Sequence, residues 1–460
     1  MTARRMFVAV VASVLLVSAC GDRGGGTAGN EGADTPDSSA AGVSADFGDL
    51  SDVCQQGSMS SAPTQGVTAD GIQVGVFSDV GFNKNAEFVN AAKVFTSWCN
   101  ELGGIGGRTI TATTRDSKLM DVRKQMLQAC REDFALVGGG SALDGLGVKE
   151  RVSCLLPSFP AQVAQLSSVG SDLEISADPT QVPGYDPFFG FRQWLITDAH
   201  PDSAGAVGII NGDSPVTKLM GEQAVESTEA AGGVFVYNDL YPAMGVSDWT
   251  PYAQALKSKG VKGLIFYGEF SQLAKLESVL TSMEYKLDWI DANNNAYGQQ
   301  FADLVGNSAD YQNNYVDLGG NLPLSSDAPA MKQLEELWAK YAPGAELTHP
   351  AMRAMSSWLL FATSAAKCGD DLTRTCLYET AKSQTAWTGG GLHAQVNLAE
   401  PAPPSPCFNV EKLTGAGWEP ADFGPDNGPY RCDIPPYKYT NTYGTPLTLA
   451  DVGKSMSDVK

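Results

Sequence analysis

Apolar positions along the chain alternate between two periods. The run Ile72-Gln73-Val74-Gly75-Val76-Phe77 predicts a strand, and Phe88, Ala92, Phe95, Cys99 and Leu102 then fall on one face at helical spacing. Gly103-Gly104-Ile105-Gly106-Gly107 ends that helix with residues tolerant of positive φ. Further strands are expected at 108–114, 134–138 and 154–157, with helices around 121–130 and from Ser141. Repeated βα order implies a parallel sheet covered by helices. After a loop rich in Pro, Gly and Asp at 176–187 the alternation restarts, with strands at 206–210, 233–237, 263–267 and 287–290 and helices near 217–231, 249–259 and 271–283. That makes a second α/β unit. Helical patterns at 327–341, 352–367 and 372–383 precede a Pro-rich break at 401–406, and the tail beyond Cys407 is aromatic and rich in Gly and Pro. Trp98, Trp249, Trp338 and Trp358 share helical spacing with other apolar residues and read as core.

At the start, Arg4 and Arg5 precede an apolar run at 7–17 and then Val17-Ser18-Ala19-Cys20. The run is shorter than the roughly 20 apolar residues that span a bilayer, so 1–19 reads as a secretion signal. The pattern resembles the bacterial lipobox, which implies cleavage before Cys20, lipid on its thiol, and anchoring to the outer face of the bacterial cell membrane. An ordinary signal with a chance cysteine is the alternative, and either places the mature chain outside the cytoplasm. Residues 20–66 carry almost no large apolar side chain and read as a flexible tether, spanning about 30 Å up to Cys54.

With 460 residues the chain has room for two packed domains. A formal charge of −21 repels nucleic acid and anionic headgroups, so neither is an expected partner. Of nine cysteines, Cys20 set aside leaves an even number, which in an exported chain favours disulfides. Sequence proximity pairs Cys54 with Cys99, Cys130 with Cys154, Cys368 with Cys376 and Cys407 with Cys432, from spacing alone. No Cys-x-x-Cys occurs and His200, His349 and His393 are scattered, so no metal or cofactor is expected. Gly-x-Ser-x-Gly around Ser141 would need glycine where Leu143 stands; a phosphate loop ending at Gly453-Lys454-Ser455 would need glycine at Thr448. The chain is not expected to be an enzyme, and a lipid-anchored extracellular hydrolase is the alternative of another class.

Five segments, in order, carry a resemblance: Val67-Thr68-Ala69-Asp70-Gly71-Ile72-Gln73-Val74-Gly75, Leu102-Gly103-Gly104-Ile105-Gly106-Gly107-Arg108, Thr114-Arg115-Asp116-Ser117, Ala135-Leu136-Val137-Gly138-Gly139-Gly140-Ser141, and Asp248-Trp249-Thr250-Pro251-Tyr252. Together, over about 67–432, they resemble type I periplasmic binding proteins, specifically the branched-chain amino acid and amide-type (Leu/Ile/Val-binding-protein-like) receptors of ABC importers. The resemblance implies an α/β fold of two Rossmann-like parallel-sheet lobes joined by three crossovers, placed near 191–195, 318–323 and 401–407. Lobe 1 would hold 67–193 and 322–402, lobe 2 would hold 194–321 and 403–445, and 446–460 would be tail. It also implies a monomer that closes on a small organic solute (amino acid, amide or carboxylate-like) and delivers it to an ABC permease. A ligand sensor of the same fold is the alternative.

Ligands of open parallel sheets bind outside the carboxyl ends of the strands. The glycine-rich loop through Gly140, Ser141 and Ala142 is the strongest candidate, because its amides and the Ser141 hydroxyl suit a ligand carboxylate; a plain helix N-cap is the alternative. Ser158 and Phe159 in the next loop and Phe82 after the first strand join it. In lobe 2, where amino acid receptors place an acidic residue, this chain reads Ala292-Asn293-Asn294-Asn295. No carboxylate is expected at that slot. Asn293 and Asn294 would bind a polar neutral group or a carboxylate, Glu269 would substitute from the neighbouring loop, and Phe270 would form an aromatic lid. The expected ligand is therefore a small organic solute that need not be a standard α-amino acid.

Overall fold

The computed structural model describes residues 44–61, 64–180, 182–399 and 402–460. The export segment 1–19, Cys20, the first part of the tether and residue 401 of the third expected crossing lie outside them. The strands are β1 (Gly71–Ser78), β2 (Thr109–Asp116), β3 (Ala135–Val137), β4 (Ser158–Phe159), β5 (Tyr185–Asp186), β6 (Val207–Gly212), β7 (Phe235–Tyr241), β8 (Gly263–Tyr267), β9 (Trp289–Asp291), β10 (Asn314–Asp317), β11 (Val410–Thr414), β12 (Gly417–Pro420) and β13 (Tyr437–Lys438). One sheet has the order β2-β1-β3-β4, all parallel. The other runs β12-β11-β10-β9-β8-β6-β7, parallel from β7 to β10 and closed at one edge by the antiparallel hairpin β11-β12.

Each sheet has its own core. Val74 and Val76 of β1 pack with Phe95 and Trp98 of the helix Glu87–Glu101, and with Trp358 and Phe361 of the helix His349–Cys368, all buried. Phe95 and Trp358 stack with centroids 5.2 Å apart. Around the second sheet, Leu264, Phe266, Trp249 and Leu276 form one cluster, and Phe191, Trp194, Ile209 and Trp289 another. Residues 44–61 pack against the first lobe. Phe47, Val53 and Cys54 are buried in its core, Trp98 Nε1 donates to the Ser44 carbonyl at 3.0 Å, and Cys54 is bonded to Cys99. The few apolar side chains of this polar stretch thus find partners, and the chain is ordered here well before residue 66. The other disulfides join Cys130 to Cys154, Cys368 to Cys376 and Cys407 to Cys432.

Three short segments pass between the cores. The first leaves the lobe 1 core after Ala177 and reaches the lobe 2 core at Phe191, so the helix Phe189–Trp194 already belongs to the second lobe. The second passes from Leu318 to Leu322 and the third from Val396 to Phe408. They are tied side by side. Asn321 Nδ2 lies 3.5 Å from Asp178 Oδ2, Asn409 Nδ2 donates to the Asn321 carbonyl at 2.7 Å, and buried Asp178 is ion-paired with Arg353. Burial alone would raise the Asp178 pKa; the Arg353 charge lowers it below the usual range.

The C-terminal segment adds a fourth link. β13 pairs with β5, and Glu226 on the helix Pro215–Ala230 accepts hydrogen bonds from Tyr437, Thr440, Asn441 and Tyr443. Against its partial burial, these donors hold the Glu226 pKa near about 2. The chain then crosses to lobe 1. Leu447 bonds through its backbone to Ser167 and Asp172, Leu449 and Val459 enter the lobe 1 core, and Arg374 N donates to the Lys460 carbonyl at 3.1 Å. Residues 446–460 are therefore a packed strap. Deleting them removes two buried side chains worth about 1.5–3 kcal/mol each, so urea unfolding should show a loss of about 3–6 kcal/mol; an unchanged midpoint would contradict the packing.

Glu277 is wholly buried in the second lobe with Asn314 Nδ2 at 2.8 Å, and burial raises its pKa to about 8 against that hydrogen bond. A carboxyl that is harder to ionise when folded holds its proton longer in the native state. Stability from this group is full below about pH 4.5 and is lost as pH rises towards 8. Glu277→Gln should remove that slope, leaving the variant more stable than the parent at pH 8 by on the order of 2 kcal/mol and close to it at pH 4.5. Parallel denaturation curves at both pH values check this.

Candidate functional site

The order β2-β1-β3 brings the loops after three strands to one point, and Asp79, directly after β1, sits there. Its carboxylate accepts from Ser117 Oγ beyond β2, from Leu119 N at 3.1 Å, from Ser141 Oγ at 3.1 Å and from Ala142 N at 2.8 Å beyond β3. Asp79 is 8% exposed. The turn it holds is strained: Lys118 and Leu119 have φ of 46° and 71°, a region costly for residues with a Cβ. Beside it lies an open cavity of about 120 Å³ lined by Asp79, Asn83, Asn85, Glu87, Ser141 and Gln162, among others. Burial raises the Glu87 pKa to about 7, opposed by the Asn85 hydrogen bond and the Arg353 charge.

Behind Gly140 and Ser141 a second cavity of about 50 Å³ enters the lobe. One end is apolar, with Phe77, Val122, Met126 and Leu136; the other carries Asp144, Arg151 and Glu174. Arg151 is buried and spends its guanidinium on the Leu156 and Asp172 carbonyls and Ser171. The glycines of this loop serve packing. Gly138 has φ +63°, and a Cβ there would lie 2.3 Å from Trp358 Nε1; one at Gly139 would lie 2.5 Å from the Phe77 backbone.

In the second lobe, the carboxyl ends of β8, β9 and β10 meet the helix Phe189–Trp194 around a small cavity of about 10 Å³. Tyr267, Asp291, Asn293, Asn294, Asp317, Phe188, Phe191 and Arg192 line it. Arg192 is ion-paired with Asp186, lies 3.8 Å from Asp291 and donates to Tyr267 Oη at 3.1 Å. Burial raises the Asp291 pKa to about 6 against the Arg192 charge, and that of Asp317 to about 8 against nearby backbone amides. Asp317 Oδ1 accepts from Gly319 N at 2.7 Å, while Oδ2 has no hydrogen-bond partner among the described residues. Two carboxylates therefore line the slot that the loop sequence alone leaves without one.

A family model described as periplasmic binding protein matches residues 75–409. The chain belongs to the periplasmic binding protein family. Solved structures agree on the type I fold. A fatty acid ABC transporter substrate-binding protein from Thermomonospora curvata superposes with a TM-score of 0.65 at 16% identity, over 84% of this chain and 98% of that one. The branched-chain amino acid substrate-binding protein LivJ of Streptococcus pneumoniae, in complex with isoleucine, gives 0.62 at 15% identity over 76% and 98%. A branched-chain amino acid ABC transporter protein from Thermus thermophilus with bound valine gives 0.62 at 14% over 81% and 98%. No curated protein sequence matches the chain. Membership carries the general role of extracytoplasmic solute binding.

Within this periplasmic binding protein, Gly140, Ser141 and Ala142 line the lobe 1 cavity, and Asn293 and Asn294 line that of lobe 2. Ser158 faces the inner cavity. Phe159 is fully buried, edge-on to Phe361 at 5.9 Å, and so is core, because β4 turns it inward. Phe82 is 58% exposed on the short helix Val80–Asn83. Glu269 is exposed at the start of the helix Phe270–Ser282 and does not line the lobe 2 cavity; Phe270 packs edge-on to Phe301 at 6.3 Å. Asp79 and Asp291 lie in the strand-end loops that the sequence marks as candidates but were not singled out there, and Ser117, Glu87, Arg192 and Asp317 were missed. For Asp79, the available signal was an acid directly after the first strand. Asp79→Ala would orphan two backbone amides and two hydroxyls, so it should cost about 3 kcal/mol in unfolding free energy, part of it recovered by water entry. Equal stability of variant and parent in urea would contradict the assignment.

Proposed function

We propose that this protein is a solute receptor that captures a small organic solute between its lobes and passes it to an ABC permease, anchored at the outer face of the membrane through lipidated Cys20. One observation carries the reading. Each of two parallel sheets, on its own core, ends in a polar cavity at its strand carboxyl ends, and short hydrogen-bonded crossings join the two bodies. A solute touching both cavities favours the closed arrangement by its differential affinity for it. Capture proceeds without chemistry: the Ser117 and Ser141 hydroxyls donate to the Asp79 carboxylate as part of a buried loop-holding cluster, not as nucleophiles presented to a solute. The protein acts as a monomer, one solute to each chain.

The test uses the oxidised soluble body, freed of co-purified solute by reversible unfolding without reductant, and the small-molecule fraction of a bacterial cell extract. A captured solute at about 100 times its dissociation constant adds roughly 2.7 kcal/mol, so the melting temperature should rise by a few degrees and the radius of gyration in X-ray scattering should fall. The solute should be recovered unchanged. No stabilisation, or recovery of a chemically altered molecule, would contradict capture and favour a hydrolase.

A further inference from the structure

Resting on the receptor reading, we infer that the recognised end of the solute is an organic ammonium and that free carboxylates are rejected, because the protein's own Asp79 fills the place a ligand carboxylate would take. An anion at strand-end loops needs free N–H and O–H donors. Here the Ala142 and Leu119 amides and the Ser117 and Ser141 hydroxyls already point at Asp79. Ser141, having given its proton to Asp79, turns lone pairs outward. The rest of that cavity is lined by Ser78, Asn83, Asn85, Glu87, Phe88, Gly140 and Gln162, with no lysine or arginine among its described residues. The amides of Asn83, Asn85 and Gln162 can donate or accept, so the charge at this wall is set by Asp79, which a second carboxylate meets as repulsion and an ammonium as attraction.

The second lobe points the same way independently. Asp317 is 3% exposed, lines the cavity with Asn293 and Asn294, and leaves Oδ2 without a hydrogen-bond partner among the described residues. A buried carboxyl group with one oxygen unpartnered is costly, and burial keeps it protonated at neutral pH; an arriving ammonium would pair with that oxygen and draw the raised pKa down. The one cation there, Arg192, is already shared between Asp186 and Asp291. Its charge is divided between those two carboxylates, while its Nε keeps an N–H without a hydrogen-bond partner among the described residues. Phe188, half-buried on the same wall, supplies apolar surface beside the ammonium site, whereas Phe191 is stacked on Trp194 in the core.

The probes are primary amines, primary amides and carboxylates on the same straight-chain skeletons, ethyl to octyl, with leucine as the zwitterion. Thermal shift and calorimetry on the stripped, oxidised body should find the amines bound at least about tenfold tighter than the matched carboxylates, a difference of about 1.4 kcal/mol, with leucine among the weak binders. Asp79→Asn keeps the shape and removes the charge: amine affinity should fall about tenfold and the preference over carboxylates should shrink, and Asp317→Asn, remote from the Asp79 loop, should weaken amines without aiding carboxylates. Carboxylates or leucine binding as tightly as amines overturns the inference, as does amide binding tighter than amine. If the extract fraction stabilises the protein and no amine does, the inference fails while the receptor reading stands. If neither stabilises it, both fail.

Discussion

One carboxylate, that of Asp79, holds the loops after three neighbouring strands of the first lobe at a single point. Its four donors come from the loops after β2 and β3 and converge on one charged acceptor. Together with the bonds from Lys118 N to Asp116 and from Leu119 N to Ser117, that acceptor offsets the strain of the left-handed turn at Lys118 and Leu119. The same bonds decide what the loop can offer a ligand. A glycine-rich turn that elsewhere presents amides to an anion here presents lone pairs and a negative charge.

Recognition by two lobes needs a hinge that keeps both cavities in register. The chain of contacts from Asp178 through Asn321 to Asn409 ties the three crossings together, with Arg353 supplying the counter-charge for the buried Asp178. The C-terminal strap adds a link that leaves lobe 2 at Glu226 and ends in the core of lobe 1 at Leu449 and Val459. Any opening of the lobes must stretch or release it.

Much of the fold was legible because the period of apolar positions reports local structure directly. The alternation of strand and helix, the buried tryptophans and the restart after residue 187 are all of this kind. What was not legible depends on adjacency in space. Asp291 and Asp317 share a cavity only because β8, β9 and β10 lie side by side, which no spacing in the chain announces. β10 to β12 went unseen because β10 is four residues with polar ends and β11 carries Glu411 and Lys412. Gly138 and Gly139 read as ligand-facing, yet close approach of Trp358 and of the Phe77 backbone requires them. Phe159 failed for a related reason: an apolar residue at a strand end can turn to either side. Residues 44–61 resembled linker by composition, although Phe47 and Cys54 are enough to fix them to the core.

The central claim is that Asp79 occupies the anion seat and so sets the chemistry of the solute. A crystal structure of the protein with its captured solute tests this most directly. The account predicts a nitrogen of the solute within hydrogen-bond reach of Ser141 Oγ and of the Asp79 carboxylate, with the Asp79 bonds to Ala142 and Leu119 intact. A solute carboxylate seated on the Ala142 amide, with Asp79 swung away, would contradict it.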